Sequence, residues 1–338
     1  MDRIFKARKD ASAQIIGEEL EDSSGLIEPF FNIDALLGFY YANAYHRRAI
    51  ELKANLLSNV EDGAKLENAT DGNPKRFLQG LILNLELFGS AYVEIARDRL
   101  YILPSAEARV DKERRVWQYA DRKKVALEAK QLAYYSPRSR FYGEPDYLAA
   151  IAALNSAAKI DAFNAAFFDN SARADKAIIF EGAEPTTEQM DAFRDFFSGS
   201  FKGFYNAHKT LIVSAGGENA KVRFEDLSKT DDLSFKELKN IIRDEVIAAH
   251  GVPPRMIGVM SASQLGGGGE LIGQLHAFNE LTIKPKQEIV EWFFETLGYP
   301  IKLKPIDVSN YKDDAMLVAG LVQSGVLSVQ EARATLGY

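Results

Sequence analysis

Two long stretches with helical periodicity enclose a short stretch without it, and this arrangement restricts the fold more than anything else in the chain. From Pro145 to Arg173, "PDYLAAIAALNSAAKIDAFNAAFFDNSAR", the residues Leu148, Ile151 and Leu154, then Ile160, Phe163 and Phe167, recur every three or four positions. Pro145 and Asp146 supply the start signals of a helix. Alanine fills the flanks, which either lets other helices approach closely or simply raises helix propensity. From Asp232, "DLSFKELKNIIRDEVIAAH" is amphipathic, with Phe235, Leu238, Ile241, Ile242 and Val246 on one face. Between the two lie a strand "KAIIF", a helix from Thr187 to Phe197, a Gly-Phe-rich turn "SGSFKGFYNAH" and a strand pair "TLIVS" and "KVRFEDL". A small α/β module carried between two long helices is the expected layout.

The rest of the chain surrounds that excursion. Residues up to Gly25 are polar and read as an arm. Asp34 to Leu57 predicts a helix or helix pair, and Lys75 to Phe88 a further helix with Phe77, Leu78, Leu81, Ile82 and Leu85 on one side. Ala91–Ile95, Leu100–Leu103 and Val116–Tyr119 read as short strands broken by Pro104 and charge clusters. Glu270 to Leu297 predicts a third long helix, which Pro285 should kink. A strand "IKLKPI" and a helical pair follow, with Ser328 placed as N-cap three residues before Glu331. The fold class is α+β, mainly helical.

"HGVPPRMIGVMSASQLGGGGELIGQ", from His250 to Gln274, tests the chemistry. A phosphate-binding loop needs Lys and Ser or Thr after its last glycine and a strand before it; here Glu270 and Leu271 follow, and a helix precedes. What remains is a loop of low stiffness, fixed at its start by Pro253 and Pro254. The four His, at 46, 208, 250 and 276, form no metal-binding spacing, and the chain has no Cys. His250 at a helix end reads as a residue favourable to the helix dipole. No nucleophile motif is visible, so no catalytic residue, metal or cofactor is expected.

The absence of Cys fits a reducing compartment, and no stretch approaches the roughly 20 apolar residues of a membrane span. The charged start "MDRIFKARKD" is unlike a signal peptide, so a soluble chain that does not contact membranes is expected. A net charge of −7 argues against static DNA binding, which requires many Lys and Arg on phosphates. A local stripe is nevertheless present: Lys229, Lys236 and Arg243 are seven apart, with Lys239 among them. Alone, it is a solvated face balanced by Asp232, Glu237 and Asp244. Repeated around a ring of subunits, it would become stacked basic rings facing a phosphate backbone on the axis.

The ordered blocks "RRAIELKANLL", "FLQGLILNLELFGSAYVEI", "YYSPRSRFYGEPDYLAAIAALNSAAKIDAFNAAFFDNSARADKAIIF", "IIRDEVIAAHGVPPRMIG" and "GLVQSGVLSVQEARATLG" resemble the portal proteins of tailed bacteriophages and prophages, in the branch common in contractile-tailed phages. The resemblance implies a dodecameric ring at one capsid vertex. Through it the terminase large subunit would drive double-stranded DNA, and to it head-tail connector proteins would attach before ejection. Major capsid and scaffold proteins would be further partners, with assembly in the host cytoplasm and final residence in the virion. It also implies a portal-type fold: arm and wing in residues 1–144, stem helix in 145–173, clip in 174–227, and second stem helix in 228–255. Tunnel loop would be 256–270, kinked wing helix and strand 271–312, and a short helical crown 313–338.

By the same resemblance, Lys229, Lys236, Lys239 and Arg243 would line the channel. Ser261, Ser263, Gln264 and Gly266, Gly267, Gly268 and Gly269 would form the tunnel loop. Phe196, Phe197, Phe201, Phe204 and Tyr205 would make clip contacts with subunits or motor, or else fill the module's own core. No Lys or Arg lies between Ile257 and Glu270, which argues against a firm electrostatic grip by that loop. Two other readings compete. One is an enzyme acting on nucleic acid or phosphate through "GGGGE", which nucleotide binding would favour. The other is a capsid adaptor without a DNA channel, which images lacking a pore would favour.

Overall fold

The computed structural model describes residues 15–120, 123–170, 176–181, 186–201, 221–226, 232–259, 268–306 and 318–335. The chain divides into two units, one of Met1–Ile151 with Asp244–Tyr338 and one of Ala152–Arg243.

The first unit opens with β1 (Leu26–Ile27) and then two helices, α1 (Ile33–Ala42) and α2 (Ala44–Leu57). Asn43 divides them. Its extended backbone ends α1 by donating its N–H to Phe39 O, and its side chain accepts from His46 N at 3.0 Å to begin α2. After β2 (Val60–Asp62) and α3 (Ala64–Ala69), Asn73 caps α4 (Pro74–Phe88), with proline in its first turn where the missing N–H costs nothing. α4 buries Leu78, Leu81, Ile82 and Leu85 completely. Each such side chain contributes about 1.5–3 kcal/mol.

Gly89 then turns the chain at φ 70° into β3 (Ser90–Ala96). β3 lies between β4 (Arg99–Leu103) and β8 (Ala129–Ala133), both antiparallel to it. A second sheet runs β1, β5 (Ala108–Asp111), β6 (Val116–Ala120), β7 (Lys123–Ala126). The sequence exposes β3, β4 and β6 through their apolar runs. β5, β7 and β8 are short and charged, and their pairing comes from neighbours.

α5 (Ile151–Asn170) begins on the last residue before the second unit; in that unit β9 (Lys176–Glu181) pairs antiparallel with β10 (Lys221–Asp226), and α6 (Thr187–Phe201) lies between them in sequence. α6 extends beyond the expected Phe197. "TLIVS", residues 210–214, lies outside the described residues, and the partner seen for "KVRFED" is β9. α7 (Asp232–Ala249) returns to the first unit. Its expected apolar face is divided: Ile242 and Val246 are buried, whereas Leu238 and Ile241 are exposed.

The predicted third helix is interrupted. It comprises α8 (Gly268–Phe278), a π-helical turn (Asn279–Ile283) and α9 (Lys284–Thr296), so Gly268, Gly269 and Glu270 are already helical. α9 packs Val290, Phe293 and Phe294 into the core formed by α2, α4 and β3. β11 (Lys302–Leu303) pairs with β2, joining the two sequence segments of this unit. Ser328 and Glu331 form the expected reciprocal cap ahead of α10 (Val329–Thr335): Ser328 N donates to Glu331 Oε2 at 2.8 Å, and Glu331 N to Ser328 Oγ at 3.2 Å.

Candidate functional site

The densest polar chemistry lies where the chain leaves the first unit and returns to it. α2 turns Lys53 inward, α4 supplies Glu86, the 3-10 turn Asp146–Ala150 supplies Asp146, and α9 supplies Lys286. Lys53 Nζ lies 2.5 Å from Glu86 Oε2 and 3.0 Å from Asp146 Oδ2. Lys286 Nζ lies 2.7 Å from Glu86 Oε1 and 2.5 Å from Asp146 Oδ2. Two cations and two carboxylates therefore alternate around a closed, formally neutral circuit. Tyr134 OH donates to Glu86 Oε1 at 2.6 Å, and its ring lies under Lys286 Nζ.

Burial works against the charges of Glu86 and Lys53, and their partners outweigh it. Burial alone would push the Glu86 carboxyl up, but Lys286 and Lys53 hold it well below the ordinary carboxylate range. Burial likewise opposes the Lys53 ammonium, yet Glu86 and then Asp146 raise its pKa. Tyr134 is pushed well above its usual value by burial and by the charge on Glu86, so it stays a donor.

Beside the circuit, three rings meet: His46 from α2, Tyr147 from the 3-10 turn and His250 just past α7. Ring centroids are 4.3 Å apart for His46 and Tyr147, 5.1 Å for His46 and His250, and 5.4 Å for Tyr147 and His250. His46 Nδ1 and His250 Nε2 share a hydrogen bond of 2.9 Å. Burial, and then the charge of Lys53, lowers the His46 pKa to about 3. Burial, Lys53 and His46 put His250 well below its usual value. Both imidazoles are neutral at pH 7. This corrects one expectation, because His250 is neutral and does not act as a charged helix terminus. The pairing joins positions 204 apart, and no spacing in the sequence signals it.

A backbone contact adjoins this cluster. Gly143 lies so close to Gly89 that a Cβ on it would stand 1.9 Å from Gly89 O and 2.7 Å from Tyr134 N. Gly89 O accepts from Tyr134 N at 2.9 Å, so the turn into Asp146 is pinned to the end of α4.

The residues singled out from sequence are dispersed. Lys236 and Lys239 are exposed on α7, and Arg243 is half-buried. Lys239 Nζ pairs with Asp161 Oδ1 of α5 at 2.7 Å, and Arg243 Nη1 donates to Asn240 Oδ1 at 3.1 Å. Lys229 lies outside the described residues. So do Ser261, Ser263, Gln264, Gly266 and Gly267, while Gly268 and Gly269 begin α8. Phe196 is exposed on α6, which also carries Phe197 and Phe201; Phe204 and Tyr205 are outside the described residues. Among the described residues, no group of three or more His, Asp or Glu could hold a metal ion. No described helix is long and apolar enough to cross a membrane.

Comparisons bear on this arrangement. The model of the phage portal protein family matches residues 68–337. A probable portal protein of Haemophilus phage HP1 (strain HP1c1) is 24% identical over 314 residues, 86% of each chain. A chain in the neck of a native gene transfer agent particle, computed with C12 symmetry, superposes with TM-score 0.65 at 22% identity, over 98% of this chain and 99% of that one. An HK97-family phage portal protein from Corynebacterium diphtheriae gives TM-score 0.52 at 14% identity, over 86% and 97%. The fold is the mainly helical α+β fold of these proteins.

Proposed function

Because the chain belongs to the phage portal protein family, we propose that twelve copies close into a ring at one capsid vertex, through which double-stranded DNA is packaged and later ejected. The observation that carries the reading is the clamp around Asp146, Tyr147 and His250. It brings together the point where the chain leaves the first unit and the point where it returns, so Ala152–Arg243 is one excursion from one base. A ring that transmits force from a motor needs such a base to hold its shape. An internally neutral circuit meets that need without attracting DNA into the core.

In this reading residues 1–144 form arm and wing, 145–173 and 228–255 the stem, 174–227 the clip, 256–270 the tunnel loop, 271–312 the kinked wing helix and strand, and 313–338 the crown. Apolar side chains exposed on α7, Leu238 and Ile241, suit burial between neighbouring copies. Twelvefold closure is supported by the C12 symmetry used for the related neck. The stripe of Lys236, Lys239 and Arg243 would meet the duplex weakly, since Lys239 is already shared with Asp161. Weak contacts let DNA slide. Aromatic residues of the clip would face the terminase or the adjoining copy, and the chain itself would hydrolyse nothing.

The test is packaging by capsids assembled with and without this chain, read as nuclease-protected DNA. Protection is expected only with the chain present. Equal protection without it would overturn the proposal.

A further inference from the structure

The π-helical turn Asn279–Ile283 holds one residue more than an α-helix would place there. Its signature is the Lys284 N–H, which bonds to Asn279 O five residues back. Pro285 explains why the extra residue sits here. It has no N–H to offer Leu281 O, and in an unbroken α-helix its ring would strike that carbonyl; widening the preceding turn relieves the clash.

The helices on either side are held very differently. α9 is anchored by Val290, Phe293 and Phe294, and by Lys286 in the charge circuit. In α8, Ile272, Gln274 and Leu275 are half-buried, Gly273, His276 and Ala277 are exposed, and only the last residue, Phe278, is buried among those whose surroundings are described. The turn itself rests on the return point of the chain, with the Thr282 hydroxyl 3.5 Å from Gly251 O. Asn279 Oδ1 accepts from Ile306 N at 3.4 Å.

We propose that Asn279–Ile283 is a two-register joint. In the register seen here the extra residue is held in the π turn. In the other, the segment winds as continuous α-helix, α9 stays fixed, and α8 turns by about 100° and advances by about 1.5 Å. Asn279 then takes the buried place of Phe278. Pro285 and Phe278 therefore both favour the π register, and a partner that grips α8 in its rotated position favours the other. Gly268 and Gly269, the first residues of α8, move with it. The joint is a property of the single chain and stands whether or not the chain forms a conduit.

The chain has no Cys, so spin labels can be placed at will. Labels at His276→Cys and Trp292→Cys, both exposed, read the joint in the purified full-length protein by pulsed electron spin resonance. Helix geometry predicts a longer separation in the α register, by on the order of 5 Å. Pro285 is exposed, so Pro285→Ala and Pro285→Ser remove no buried contact; each should introduce the longer component, and Phe278→Ala added to either should enlarge it. Deleting Leu281, an exposed residue of the turn, from such a variant should restore the original distance. The proposal is overturned if the proline variants and their Phe278→Ala derivatives keep the single distance of the labelled parent, or if the deletion leaves the longer component in place.

Discussion

His46 Nδ1 stands 2.9 Å from His250 Nε2, with both side chains closed off from solvent. Folding lowers the affinity of each ring for a proton, to a pKa of about 3 for His46. In the unfolded chain a His titrates near about 6.5, so as pH falls the unfolded state takes up the proton first. The stability supplied by the neutral pair is complete above about pH 6.5 and is lost as pH falls towards the folded-state values. The expected slope is up to ~1.4 kcal/mol per pH unit for each ring. Denaturant midpoints measured from about pH 7.5 to 5, above the range of ordinary carboxylates, isolate it. His46→Leu combined with His250→Leu should flatten the profile. An unchanged slope in that variant would show that the pair is not responsible.

Lys53 is wholly buried against Glu86, so removing one partner leaves a charge without its full compensation. Lys53→Met should cost about 3–5 kcal/mol, and Lys53→Met with Glu86→Leu should recover much of that by replacing the pair with apolar volume. Guanidinium unfolding of parent, single and double variants makes the comparison. A single variant within ~1 kcal/mol of the parent would mean that the circuit is not the clamp described, since buried pairs respond far more strongly.

Glycine positions give opposite expectations. Gly143→Ala would force a Cβ into the backbone of Gly89 and Tyr134, neither of which can rotate away. Thermal unfolding should fall by more than the ~1 kcal/mol typical of a substitution, to the point of poor recovery of folded protein. Gly38→Ala, inside α1 with open space around it, should raise the melting temperature through about 0.5–1 kcal/mol of helix stabilisation. A neutral Gly143→Ala would contradict the close approach.

The basic stripe predicts a functional phenotype with little change in stability. Lys239 and Asp161 are both well exposed, so their pair contributes at most about 1 kcal/mol. Lys236→Glu, Lys239→Glu and Arg243→Glu together should leave folding intact and lower the DNA retained in filled particles several-fold. Retention equal to the parent would remove this face of α7 from DNA contact.

Much of the architecture is legible because it is written in local periodicity. α4, α5 and α7 show their apolar residues every three or four positions, β3 and β4 show compact apolar runs, and Ser328 with Glu331 announces α10. The clamp is not legible. Lys53, Glu86, Asp146 and Lys286 each look like ordinary surface charges in their own segments, and only tertiary packing places Lys286 beside a residue 200 positions away. Pro285 did signal an interruption, but its form is a widened turn before the proline, set by the clash with the preceding carbonyl. The exposed Leu238 and Ile241 mark the opposite limit, since an apolar face in sequence does not say whether its cover belongs to the same chain.

Native mass measurement with negative-stain imaging of the protein, alone and mixed with its capsid and scaffold proteins, tests the ring most directly. A closed assembly with a central hole and a mass of roughly twelve times the 37.6 kDa chain is expected. A chain that stays monomeric in both conditions, or that assembles without a hole, would contradict it.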